Sequence, residues 1–130
     1  MNKLRYLIMF CLVGSMSFSP FGIAGEDQNK NAVNKIAEIM YRLKHFPSPQ
    51  GRSDLKAIIN APTSTENERI IAAAMMNMQH EVLPNDALLL KKISANNSSS
   101  KHERELAELL LNFNHRPTKQ DKSQLKEMMK

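Results

Sequence analysis

Cysteine occurs once in the 130-residue chain, at Cys11, inside an apolar run near the N-terminus. The rest of the chain therefore has no disulfide, no thiolate metal ligand and no cysteine nucleophile. A chain without cysteine also suits an oxidising compartment. Tryptophan is absent and aromatic residues make up 5% of the sequence. Beyond residue 25 only Tyr41, Phe46 and Phe113 remain, so there is no row of rings on which nucleic-acid bases could stack. Glycine occurs four times, and no glycine-rich phosphate loop is present. The serines and threonines cluster in polar linkers, and no Ser–His–acid spacing stands out, so the sequence points away from an enzyme. The longest apolar run, Tyr6 to Gly14, is too short to span a bilayer.

That run belongs to a segment with the layout of a secretory signal. Asn2 to Arg5 is basic, "LIMFCLVG" is apolar, and small residues follow up to "FGIAG". Cleavage after Ala24 or Gly25 is expected, the alternative being an uncleaved N-terminal anchor. Residues 1–25 are thus assigned to a removed signal peptide, which places the working protein in the periplasm or outside the cell. The formal charge is +5. Removing Lys3 and Arg5 from 18 basic residues leaves sixteen against 13 acidic ones, a net +3. Such a mild excess is not a nucleic-acid signature.

A 35-residue period organises what is there. Residues 31–65, 66–100 and 101–130 align without gaps. Ala37, Ala72 and Ala107 share a column, as do His45, His80 and His115. Leu55, Leu90 and Leu125 share another, followed at once by Lys56, Lys91 and Lys126. Apolar character is kept at Ile36, Ile71 and Leu106, at Met40, Met75 and Leu110, and at Leu43, Met78 and Phe113. In the second unit Ile71, Met75 and Met78 stand at i, i+4 and i+7, one face of a helix. Pro47, Pro84 and Pro117 close these first helices, with the histidine expected in the last helical turn.

A second, short helix follows in each unit. Ser48 with Pro49, and Thr118 with Asp121, read as helix starts, and Asp86 suits the positive end of the middle one. "NAPTSTEN" and "ANNSSSKHE" read as loops that supply caps for the next unit, Ser64 or Thr65 and Ser99 or Ser100. Glu26 to Asn31 is polar and aperiodic, and residues 26–30 are expected to be a flexible lead-in. The expected fold is all-α: three αα-hairpin repeats of 35 residues, as a short solenoid or a compact six-helix bundle. The unit resembles the helix-turn-helix repeats of the tetratricopeptide class in length and layout only, and it is shorter than typical HEAT units. The Trp, Leu-Gly and Tyr of the tetratricopeptide pattern are missing.

Two recurring polar columns are the candidate functional positions. His45, His80 and His115 have a structural reading, as caps on the negative ends of three helices. They also have a functional reading, as a row of metal or ligand groups. In a solenoid, equivalent positions lie about 10 Å apart, the usual helix–helix spacing, too wide for three imidazoles to share one ion at about 2 Å. Lys56, Lys91 and Lys126 read as a solvated edge or as a basic stripe for an acidic protein or anionic surface. His102 with Glu103 and Glu105 lacks the second histidine of a zinc-protease helix and reads as a solvated first turn. Met75 and Met78 fill columns held elsewhere by leucine and phenylalanine, so they belong to the core rather than to a copper site. Arg69 and Arg104, each after a glutamate, read as surface charge balance.

The function this favours is a secreted or periplasmic, non-enzymatic, protein-binding adaptor or accessory module. The alternative is a small metal- or ligand-binding accessory protein using the recurring histidines. No cofactor and no nucleic acid are expected. A protein or peptide is the expected partner, and a membrane surface the less favoured one.

Overall fold

The computed structural model describes residues 25–130, with side chains from residue 32 onward. The signal expected at the N-terminus lies, but for Gly25, outside the described residues. The fold is all-helical, with α1 (Gly25–Tyr41), α2 (Pro49–Asn60), α3 (Glu66–Asn77), α4 (Pro84–Ala95), α5 (Lys101–Leu111) and α6 (Lys119–Met128). α1 begins at Gly25, so residues 26–30, expected as a flexible lead-in, fall within a helix. Once the packed part of a helix has formed, each further residue needs only one hydrogen bond to propagate it. No described helix is long and apolar enough to cross a membrane.

The three hairpins close on themselves. α2 packs on α3, α4 packs on α5, and α6 returns onto α1, while α1, α3 and α5 touch one another. The result is a compact ring with α1, α3 and α5 inside and α2, α4 and α6 outside, related by an approximate threefold axis. The repeated columns explain the closure. Ala37, Ala72 and Ala107 are fully buried where the inner helices meet, and a methyl side chain permits that close approach. Ile36, Ile71 and Leu106, with Met40, Met75 and Leu110, build the core around them at 1% exposure or less. Leu55, Leu90 and Leu125 seal it from the outer helices. An open stack would need polar outer faces on its end units, whereas the first and third units here carry the same apolar columns as the second.

Caps fix where the helices begin. Ser48 accepts from the Gly51 N–H with Pro49 in the first turn. Thr65 with Glu68, Ser100 with Glu103 and Thr118 with Asp121 form reciprocal capping boxes. α4 alone among these starts on a residue without a side-chain acceptor, Leu83, which is 40% exposed. Its backbone already has the extended φ and ψ of a cap, −64° and 148°. Leu83→Thr is therefore expected to raise stability by about 1 kcal/mol, as a higher midpoint in urea unfolding with an unchanged slope. A lower midpoint would show that the Leu83 side chain contributes more by packing than the cap supplies.

At the end where the inner helices start, the caps of different units are joined. Glu68 and Glu103 are buried at 1% and 5% exposure, in the column that Val33 occupies in the first unit. The Thr65 hydroxyl donates to Glu103 at 2.6 Å, and the Asn67 amide donates to Glu103 and Ser99 at 3.2 and 3.0 Å. Arg69 donates to the carbonyls of Ala61 and Pro62, and Arg104 to those of Ser99 and Asn97. The two arginines thus tie down the preceding loops, a role their sequence position did not reveal.

The two carboxylates titrate in opposite directions. Burial pushes Glu68 above its ordinary 4.5, and nearby Glu103 adds to this against the Thr65 N–H, which lowers it. Burial acts the same way on Glu103, but donors from Thr65, Ser100 and Asn67 outweigh it and hold that carboxyl below 4.5. Glu68 therefore contributes stability that is present below pH 4.5 and lost as pH rises through its folded value. Glu103 contributes stability present above pH 4.5 and lost as pH falls through its folded value. Glu103→Gln is expected to cost about 1–3 kcal/mol at pH 7. Glu68→Gln keeps the cap, removes a buried like charge, and should be neutral or mildly stabilising at pH 7, with a smaller gain at pH 4. Thermal melts of both variants at the two pH values check the signs.

Candidate metal centre

The opposite end of the ring is where the inner helices stop, and there the three histidines meet. Each helix ends several residues early, at Tyr41, Asn77 and Leu111. The chain then places a buried residue two positions before the histidine: Leu43, Met78 or Phe113, at 3%, 1% and 6% exposure. Two positions after it stand Pro47, Val82 and Pro117, of which both prolines are buried. Pinned on either side, the chain arches over the axis with the histidine at its crest. The expected position in a last helical turn is thus corrected: His45, His80 and His115 are loop residues, exposed, above an apolar floor.

Their backbone is unusual. His45, His80 and His115 have φ of 62°, 72° and 61°, and they are the only non-glycine residues with positive φ among those described. At two of them the turn closes over three residues, with Phe46 N–H donating to the Lys44 carbonyl at 2.6 Å and Arg116 N–H to Asn114 at 2.7 Å. A positive-φ turn of this kind costs of order 1–3 kcal/mol for a residue with a side chain. Glycine or asparagine would satisfy the backbone at lower cost. Backbone bonds also link one crest to the next, from His45 N–H to the His115 carbonyl at 2.8 Å and from His80 N–H to His45 at 3.3 Å.

The rings converge accordingly. Their centroids are 5.0, 5.3 and 5.3 Å apart, about half the spacing expected for a stack. Loops that bend over a threefold axis approach more closely than the helix axes that carry them. Nδ1 of His45 lies 3.1 Å from Nδ1 of His80, a separation in which one ring donates and the other accepts. One nitrogen from each of the three rings can be chosen so that all lie within 4.8 Å of one another. Ligands on a tetrahedral zinc at 2.0–2.1 Å are about 3.3 Å apart. The His45–His80 pair is already close to that separation, and the third ring nitrogen needs a shift of at most about 1.5 Å, which rotation of an exposed side chain can make.

The other candidates are not brought together. Lys56, Lys91 and Lys126 are exposed on three different outer helices, hence on three sides of the ring and not in one stripe. Lys126 lies over the Tyr41 ring, its Nζ 5.8 Å from the centroid and that of Lys122 at 5.0 Å, across the seam where α6 meets α1. His102 faces Glu105 at 3.4 Å on the surface of α5, away from the trio. Among the described residues the three crest histidines form the one group of three or more potential ligands within reach of a single ion. Compared with protein-family models, with curated proteins and with solved structures, the chain matches none.

Proposed function

We propose that the protein binds a divalent first-row transition metal ion, zinc or copper foremost, on His45, His80 and His115. The observation that carries this reading is the convergence of three exposed imidazoles, each held at positive φ. Packing explains why alanine and leucine recur in the three units, because those columns are buried. It does not explain an exposed histidine kept three times where the backbone favours glycine. Borderline nitrogen donors without thiolates or carboxylates suit zinc, copper and nickel rather than magnesium or calcium. A cation held by three imidazoles at the outer end of the bundle retains open positions on the solvent side. An exchangeable site of this kind fits a small accessory protein that carries or buffers metal, in the oxidising compartment to which the N-terminal segment points.

Calorimetric titration of the purified, chelator-treated protein with zinc tests this. The expected result is a single saturable site, lost in the variant carrying asparagine at all three positions. Equal uptake by that variant would refute the assignment. The second reading is the protein-binding module expected from the sequence. It draws support from α4 and its cap, where Leu88 is 60% and Leu89 and the cap residue Leu83 are each 40% exposed, near the buried Leu90 and Ile93. A crosslinked partner retained in the presence of chelator would favour it.

A further inference from the structure

We propose that, with a six-coordinate ion such as nickel, the histidine face is completed by a second copy of this chain, so that one metal ion is held by six imidazoles between two protomers. This rests on the metal-binding reading above and adds what fills the open side of the site. Nine exposed residues make the face, the three histidines and the residue on each side of them. The residues after the histidines differ among units: Phe46, Glu81 and Arg116. By the threefold relation they stand about 120° apart around the cluster. A twofold axis in the plane of the face, running through Phe46, turns the face onto itself. It sets Phe46 against its counterpart, Glu81 against Arg116 of the second copy, and Arg116 against Glu81. The same operation brings three imidazoles opposite three imidazoles.

Two observations favour this occupant. Phe46 is 58% exposed, the one large aromatic side chain left uncovered among the described residues. Neither Glu81 nor Arg116 has an ion-pair partner among the described residues, although each stands beside a ring of the cluster. An isologous contact needs this self-complementarity, with opposite charges exchanged across the axis and a residue on the axis meeting itself. The contact is small. Nine residues a side compares with about 20–30 in a stable interface. The pair should therefore not persist without the metal–nitrogen bonds, which makes association metal-dependent and reversible.

The test is sedimentation velocity on the purified protein at low micromolar concentration, with half an equivalent of nickel and then with excess chelator. The expected result is a dimer at one metal per two chains that returns to monomer on chelation. Arg116→Glu should abolish the dimer while metal still binds one-to-one. The double variant Glu81→Arg with Arg116→Glu restores opposite charges across the axis and should restore the dimer. A monomer that binds one metal per chain overturns the dimer and leaves the metal reading intact. No metal uptake overturns both. A dimer that ignores Arg116→Glu overturns the docking geometry.

Discussion

His80→Gly is expected to weaken zinc binding by at least about 100-fold and leave the protein as stable as before, or more so. Removing outer-shell partners of a metal site costs 10–100-fold in affinity, and a direct ligand should cost no less, about 2.7 kcal/mol at 100-fold. The stability side follows from the backbone. His80 has φ of 72°, where a Cβ is unfavourable and glycine is not. The relief, about 1–3 kcal/mol, is offset by the greater freedom of glycine in the unfolded chain, about 0.4–1 kcal/mol, so the net change lies between zero and about 2.5 kcal/mol of stabilisation. A residue kept for its cap or its packing would give the opposite pattern, with stability falling and metal binding unmoved. Calorimetric titration and urea unfolding on the same variant separate the two.

Leu106→Ala should lower stability by about 3 kcal/mol, within the 2–5 typical of such truncations. For a unit of about 100 residues that is a fall of about 10–20 °C in Tm. Leu106 is fully buried on α5, as are its counterparts Ile36 on α1 and Ile71 on α3. Because the hairpins close into a ring around one core, Ile36→Ala and Ile71→Ala should cost similar amounts, each with a single transition. In an open stack the end units would soften first, and a substitution in the first or third unit would give a broadened or two-step melt. Thermal melts followed by circular dichroism distinguish these outcomes.

The period, the two helices per unit and four of the caps are legible in the residues, because burial and N-capping act through side chains at fixed spacing. Ser48, Thr118 and the serine–threonine linkers start helices for reasons local to a few residues. The closure is less legible. A 35-residue repeat says which helices are neighbours but not how far each unit turns relative to the last, and the difference between an open stack and a ring is that angle. The available signal was the apolar character of the first and third units, which leaves no polar outer face to end a stack. The histidine geometry was hidden by the same ambiguity, since a spacing of about 10 Å holds for parallel helix axes and not for loops that arch over a threefold axis. The sequence also places the histidine in a helix, because Leu43, Met78 and Phe113 continue the helical period past the point where the backbone turns away. Glu68 and Glu103 were missed because a capping glutamate and a buried one look alike in sequence.

Zinc K-edge X-ray absorption of the zinc-loaded protein reads out whether three histidines separated by 35-residue intervals share one metal ion. At least three imidazole nitrogens per zinc are expected at about 2.0–2.1 Å, with their loss when His45, His80 and His115 are replaced by asparagine. A shell of oxygens with one imidazole or none, as a surface ion at His102 and Glu105 would give, would contradict a shared site.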